Sequence, residues 1–366
     1  MSIVPPDQPL HAPHPLDHTS LQDLEAIRLL LTGSSVIDWH QLAFSSEAEV
    51  RRFLRVNEFD PDDERDMRRL DELRAEAVEY LTRQLEYRIP PEVASGMPAH
   101  ELLLTASQKG RHQTYACIVL KVMHVMHHLN SREALFRLPV SDDQVFGLVE
   151  SKVVHVVEEI RGAGYPIVEF AWSRKERHSL ITKLLAKRDS IAAHVYDKLR
   201  FRLITRRRED LPAVLQEMFH RLIPFNYVIP GQTVNRLLPF RRLLEETPAL
   251  RRYADQLQQG LDLEEPTGPD NTFSSSGYKV LNFVVDLPVR IESVLRHVGS
   301  SLGDLGLDPR GVVFVLSEFQ LIDAETAADN ERGDNSHAAY KERQRIMVKA
   351  RLTRGMRQRV RSDRER

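Results

Sequence analysis

Apolar residues recur at steps of three and four along the first 160 residues of the chain. This spacing places them on one face of a helix, and it repeats in LQDLEAIRLLL, EAEVRRFLRV, RRLDELRAEAVEYLTRQLEY, YACIVLKVMHVMHHL and VFGLVESKVVHVVEEI. Prolines separate several of these segments, and proline disfavours a helix interior. The pattern predicts a helical domain over residues 20–162, preceded by a flexible Pro- and His-rich leader over residues 1–19.

Beyond Gly162 and Gly164 the pattern changes to runs rich in Val, Leu, Ile and Phe. HVYDKLRFRLITR, YKVLNFVVDLPVRI and VVFVLSEFQLI are typical of strands, whereas RHSLITKLLAKRDSIAAH and LPAVLQEMFHRLI are typical of helices. Strands alternating with helices predict an α/β or α+β sheet domain over residues 163–345. Two stretches, residues 232–272 and 292–311, interrupt it.

Composition adds little to this division until the C-terminal end. Hydrophobic residues make up 42% and charged residues 28%, which is ordinary for a globular protein, and the net charge is only -2. Residues 346–366, however, form an Arg-rich tail in which Leu352, Met356 and Val360 recur at helical spacing. We interpret the tail as a solvated helix end; the alternative is a surface for RNA, ribosomes or anionic lipid.

Cys117 is the only cysteine, which excludes a disulfide framework or a multi-cysteine zinc site and is typical of a reducing compartment. No apolar run reaches membrane-spanning length. We therefore expect a cytoplasmic protein without a membrane partner. His124, His127 and His128 have a spacing that a metal site could use, but no acidic residue adjoins His127 or His128, so we favour packed or surface histidines.

Two groups of residues in the second half could carry phosphate chemistry. Lys175, Ser179 and Lys183 form one stripe of a helix, which is either a polyphosphate cradle or a wet helix face. The next strand begins with Asp197, a candidate ligand for a divalent cation, and carries Arg202 five residues later.

A further pair of strands carries polar side chains on single faces. Tyr278 and Asn282 share parity in one strand, and Glu318 and Gln320 share parity in the other. Because a carboxylate in an apolar strand needs a partner, a metal ion would explain Glu318. The alternative is an edge strand with one face in water.

In their order along the chain, these residues resemble the synthetase domain of RelA/SpoT proteins, the nucleotide pyrophosphokinases that make the alarmone (p)ppGpp. The order is Lys175-x3-Ser179-x3-Lys183, Asp197-x4-Arg202, Gly277-Tyr278, Glu318-Phe319-Gln320 and His337-Ala-Ala-Tyr340-Lys341. The resemblance covers residues 170–345. The helical half does not resemble the hydrolase domain of that family.

The resemblance implies a fold and an activity. The fold class would be α+β, a helical N-terminal domain followed by a mixed β-sheet flanked by helices. The activity would be transfer of pyrophosphate from ATP to the 3′-hydroxyl of GDP or GTP. Asp197 and Glu318 would hold Mg²⁺, with Glu318 also a candidate base. Phosphate charge would be neutralised by Arg174, Lys175, Lys183 and Arg202, and the nucleotide would further contact Ser179, Tyr278, Asn282 and Gln320.

The sequence also departs from the family pattern. Ser173 stands where the family has an arginine, with Arg174 one position later, and Ser274, Asn282 and Ile322 replace other basic residues or histidine. Each replacement removes a partner for phosphate charge. Two alternatives therefore stay open: a pyrophosphokinase acting on the 3′ end of tRNA, which the Arg-rich tail would suit, and a non-catalytic nucleotide sensor. The helical half would regulate the enzyme, mediate oligomerisation or select the acceptor.

Overall fold

The structure is a computed structural model that describes residues 2–3, 16, 18–38, 42–186, 198–253, 257, 277–298, 307–332 and 337–362. In this part of the chain, the first half is helical, as the periodicity predicts. Its helices are α1 (Leu21–Thr32), α2 (Glu47–Val56), α3 (Glu64–Leu85), α4 (Glu101–Ser107), α5 (Gln113–Arg137) and α6 (Asp142–Gly162).

Local sequence sets the ends of these helices. At the start of α1, the Asp23 N–H donates to the Ser20 hydroxyl at 3.2 Å, and the Ser20 N–H donates to the Asp23 carboxylate at 3.0 Å. This reciprocal arrangement satisfies two amides that have no partner within the helix. Gly33 ends α1 in the left-handed region, with φ of 65°, which glycine adopts without a steric penalty. Ser141 and Gln144 form the same box at the start of α6.

The second half alternates strands and helices, and one short strand from the N-terminus, β1 (Ser2–Ile3), joins it. The other strands are β2 (Ile167–Arg174), β3 (Leu199–Thr205), β4 (Val234–Asn235), β5 (Leu281–Arg290) and β6 (Val312–Asp323). The helices are α7 (Arg177–Ala186), α8 (Leu211–Arg221), α9 (Phe240–Glu246), α10 (Ile291–Val298), α11 (Ala324–Asn330) and α12 (His337–Ser362).

The described strands form one six-stranded sheet in the order β1-β2-β3-β6-β5-β4. β3 and β6 are parallel, and the other neighbours are antiparallel. This is the mixed sheet flanked by helices, behind a helical N-terminal segment, that we expected, so the fold class is confirmed.

One face of the sheet carries a row of buried phenylalanines. Phe170, Phe201, Phe319 and Phe283 come from β2, β3, β6 and β5, and successive rings stack at centroid distances of 6.3, 5.1 and 5.6 Å. All four are at most 1% exposed. Truncating one such ring to alanine costs about 3–5 kcal/mol, so this row fixes the register of the four strands.

Several polar contacts with a buried carboxylate join the helical half to the sheet half. His220 of α8 meets Asp23 of α1 at 2.7 Å, and His128 of α5 meets Asp286 of β5 at 2.7 Å. Arg290 at the end of β5 forms a bidentate pair with Asp66 of α3. A single apolar core continues from the first helices into the strands. The segments on either side of residue 162 therefore share one core.

Several elements differ from the sequence expectation. β2 and α10 were not predicted, because IVEFAWSR mixes apolar and charged residues and IESVLRHV continues directly from β5 without a turn residue. Ser2 and Ile3, within the predicted leader, pair with β2. The expected helix after Arg177 is described to Ala186, and residues 187–197 lie outside the described part. No helix of the described residues has the length and apolar character needed to cross a bilayer.

Candidate active site on the central strands

Glu318 lies at the centre of a polar group on the sheet, on β6. It is 5% exposed. Arg200 of β3 is its direct neighbour in the parallel register, and the Arg200 Nε donates to Glu318 Oε2 at 2.6 Å. From the other side, Asn282 Nδ2 of β5 donates to Glu318 Oε1 at 2.9 Å. Both carboxylate oxygens therefore have a partner, which offsets the cost of burying the charge.

A second polar row lies two residues further along the same strands. Arg202, Gln320 and Asn282 are direct neighbours across β3, β6 and β5. Because side chains alternate along a strand, this row projects on the same face as Arg200 and Glu318. Arg202 Nη1 lies 3.8 Å from a carboxylate oxygen of Glu331, a long contact for an ion pair.

Tyr278 approaches this group from the segment before β5. Burial raises the pKa of its hydroxyl, Arg202 and Arg200 oppose the increase, and Glu318 adds to it. These influences place the phenol within the electrostatic range of both arginines and the carboxylate. The hydroxyl is protonated at neutral pH and can donate a hydrogen bond.

Asn282 leaves one group unsatisfied. Its Oδ1 atom is buried and has no hydrogen-bond partner among the described residues. Buried acceptors of this kind are rare in native proteins. The site therefore offers an amide acceptor, beside the Glu318 carboxylate, to a ligand that carries a donor.

Arg174 lies apart from this group. It is the last residue of β2 and pairs across the strands with Leu199, whereas Ser173 pairs with Arg200. Strand alternation thus turns Arg174 to the face opposite Glu318. Its guanidinium donates two bonds of 2.7 Å to Glu150 of α6 and one of 3.1 Å to Asp143. These bonds raise the pKa of Arg174, so it joins β2 to α6.

The predicted lysine stripe follows β2 directly. The Lys175 N–H donates to the Lys198 carbonyl at 2.8 Å, which ties the end of β2 to the start of β3. Ser179 and Lys183 lie partly buried on α7, which packs against α12. Asp197, the other predicted metal ligand, lies outside the described residues.

The structure therefore gathers Glu318, Gln320, Arg202, Asn282 and Tyr278. The sequence analysis missed Arg200, the closest charged partner of Glu318. The sequence does indicate that Arg200 lies on the same face as Arg202, because the two residues share parity along the strand. It does not indicate that Arg200 meets Glu318, because that contact depends on the parallel pairing of β3 with β6. Among the described residues, no three potential metal ligands cluster.

Comparisons with known proteins add weak similarities. No family profile matches the chain, and no curated protein matches its sequence. The solved structures to which it is similar include small alarmone synthetase 1 from Bacillus subtilis, at 15% identity and a TM-score of 0.30, covering 61% of this chain and 94% of that one. A GTP pyrophosphokinase family protein from Streptococcus pneumoniae matches at 15% identity and 0.29, covering 60% and 89%.

The Bacillus subtilis synthetase 1 bound to its product pppGpp also matches, at 15% identity and a TM-score of 0.28, covering 66% of this chain and 96% of that one. Small alarmone synthetases are thus among the structures similar to this chain, and they belong to the family that its ordered motifs resemble.

Proposed function

We propose that this protein is a divergent nucleotide pyrophosphokinase that transfers pyrophosphate from ATP to the 3′-hydroxyl of GDP or GTP. The observation that supports this proposal is the grouping of one buried carboxylate, two arginines, two amides and a tyrosine on one sheet face. These residues come from four separate segments of the chain, and the sequence resemblance assigns most of them to nucleotide binding.

In the proposed reaction, the acceptor 3′-oxygen attacks the β-phosphorus of ATP. A bond forms between that oxygen and the β-phosphorus, the bond from the β-phosphorus to the α,β-bridging oxygen breaks, and AMP leaves with that oxygen. Glu318 would accept the proton of the 3′-hydroxyl. The Arg200 bond would hold the carboxylate in a fixed direction, which a general base requires.

The arginines would handle the phosphate charge. Arg202 is about one-third exposed and is only loosely paired with Glu331, so its planar donor fork can turn to a phosphate at little cost. Arg200 would neutralise charge from the side of the carboxylate. Tyr278 would stack on the acceptor base, and Gln320 and Asn282 would hydrogen-bond beside it.

A magnesium ion is compatible with this site. Mg²⁺ is held in many nucleotide enzymes by one or two carboxylates, substrate phosphates and water, and each Glu318 oxygen keeps a lone pair beyond its present hydrogen bond. Glu318 and Asp197 would hold the ion. When bound, it would neutralise the phosphates and polarise the reacting phosphoryl group.

The decisive experiment follows radiolabel from γ-labelled ATP into GDP, GTP or bulk tRNA, with Mg²⁺ present. We expect labelled product with one guanine nucleotide, and loss of product in Glu318→Gln. Glu325→Gln is the matched control, because Glu325 is an exposed residue of α11 and should leave transfer unchanged. Transfer to tRNA alone would mean that the acceptor is RNA and not a free guanine nucleotide. Equal transfer by Glu318→Gln and the natural protein would refute the role of Glu318.

A second function, nucleotide sensing without turnover, is favoured by one specific observation. Arg200 and Asn282 already occupy both oxygens of Glu318, and Arg174 is paired with α6. A site with this pairing could bind nucleotide and do no chemistry. Saturable binding of ATP or GTP with no transfer to any acceptor would support this function over the first.

A further inference from the structure

A cavity of about 120 Å³ lies in the helical half, away from the polar group on the sheet. Its wall is mainly apolar and comes from α2, α3, α4, α5 and the turn before β4. Typical contributors are Phe53, Leu54, Leu73, Leu103, Met123 and Phe225. An apolar cavity of ~150 Å³ is large enough to hold benzene. The volume of about 120 Å³ therefore suits one aromatic ring, and because the cavity is partly open to solvent, a fused second ring can extend toward the opening.

Two polar atoms in this wall lack a partner. Asn226 Oδ1 and His124 Nδ1 are both buried, and neither has a hydrogen-bond partner among the described residues. The Asn226 amide is held in place, because its Nδ2 donates to Asn57 Oδ1 at 3.0 Å. Since a buried acceptor without a donor is destabilising, the fixed Oδ1 atom offers a hydrogen-bond acceptor to a bound group that carries an N–H or O–H.

The histidines of the wall are neutral at physiological pH. Burial, with a smaller effect of the neighbouring His128, lowers the pKa of His124 to about 4. Burial likewise lowers the pKa of His127 to about 3. The two histidines therefore present neutral rings to the cavity. Lys121, which is half-buried, is the one charged residue among the described lining residues, and the apolar character of the rest of the wall favours a neutral ligand.

The innermost wall is anchored to the sheet. His127 Nδ1 and the Tyr227 hydroxyl lie 2.6 Å apart, and the Tyr227 ring packs on Phe314 of β6 with centroids 4.3 Å apart. The His127 and Tyr227 rings thus face the cavity with restricted freedom. Fixed aromatic walls favour a planar guest, because little side-chain entropy is lost when it binds.

We propose that this cavity is a binding site for a neutral, planar heteroaromatic molecule no larger than a fused bicycle, whose ring N–H donates to Asn226 Oδ1. This proposal does not depend on the chemistry of the sheet site. It concerns a region that the pyrophosphokinase proposal leaves without a role.

The test uses indole and benzofuran as probes, because they have nearly the same shape and benzofuran lacks the N–H. Binding to the full chain is measured by calorimetry and, for 5-fluoroindole, by ¹⁹F NMR. We expect saturable binding of indole, about tenfold tighter than that of benzofuran, the difference that one satisfied buried acceptor would produce. Absence of indole binding at its solubility limit would overturn the proposal, and would indicate that water alone satisfies the polar atoms.

Variants separate the cavity from other apolar surfaces. Asn226→Leu should remove the preference for indole over benzofuran while both still bind. Leu103→Phe should fill the cavity and abolish binding of both probes, and Leu73→Phe provides a second filling variant should the first fail to fold. Leu129→Phe, at an exposed position of α5, is the matched control and should bind as the natural protein does. Unchanged binding in both filling variants, each folded by circular dichroism, would refute the site.

Discussion

The ion pair between Asp66 and Arg290 provides a quantitative test of how the helical half is attached to the sheet. The Asp66 side chain is fully buried, and both of its oxygens accept from the Arg290 guanidinium. The Asp60 N–H also donates to Asp66, at 2.7 Å. Removing one partner of a buried pair costs about 3–5 kcal/mol, because the other charge is left buried without compensation. Asp66→Asn keeps the shape and some hydrogen bonds, so we expect a loss at the lower end, about 3 kcal/mol.

Urea unfolding measures this loss as a fall in the free energy of unfolding at unchanged m-value. Asp62→Asn is the matched control, since Asp62 pairs with two arginines at an exposed position and should change stability little. Replacing both partners, by Asp66→Leu with Arg290→Met, should restore much of the loss, because neither member of the pair is then left buried without the other. A loss below about 1 kcal/mol in Asp66→Asn would refute the reasoning, since it would mean that water or Glu58, whose carboxylate lies 3.4 Å from Arg290 Nε, compensates Arg290 when Asp66 is gone.

The same pair has a pH dependence of known sign. Burial alone would raise the pKa of Asp66, but the bonds from Arg290 and the Asp60 N–H hold it below its usual value. A carboxyl with a lowered pKa in the folded state contributes stability above its unfolded pKa of 3.8 and loses it as the pH falls. The stability difference between the natural protein and Asp66→Asn should therefore shrink on acidification below that value.

Three other outcomes are expected. Arg200→Met should reduce pyrophosphate transfer at least tenfold, and it should also lower stability, because the buried Glu318 carboxylate loses its charged partner. Full activity in a transfer assay would show that Arg200 is only structural. In steady-state kinetics, Arg202→Met should raise the apparent KM for nucleotide more than Arg174→Met does, since Arg174 faces α6. Equal increases in KM for the two variants would contradict the placement of Arg202 at the nucleotide. Burial opposes the charged form of His220, yet its bonds to Asp23 and Glu217 raise its pKa to about 9. The contribution of His220 to the free energy of unfolding, measured against His220→Gln in urea, should therefore be full below pH 6.5 and vanish as the pH rises through about 9.

The sequence predicted the elements that follow a strong local period. The three- and four-residue spacing of apolar residues predicts α1, α2, α3, α5 and α6, and the Val- and Phe-rich runs predict β3, β5 and β6. Strand parity also placed Glu318 with Gln320 on one face, since alternation is a property of the strand alone. The sequence analysis missed β2, because its mixed composition follows neither the helical nor the strand period clearly.

Only the tertiary structure decided which residues meet across elements. Glu318 meets Arg200 because β3 and β6 are parallel and in one particular register, and His128 meets Asp286 although 158 residues separate them. A shift of one residue along a strand moves a side chain to the other face, so Arg174 could not stand in for the arginine expected at Ser173. The sequence by itself determined the longer helices of the first half, the strands β3, β5 and β6, and the polar positions along them. Pairing, register and the cavity depend on contacts between distant segments, and local periodicity carries no information about those contacts.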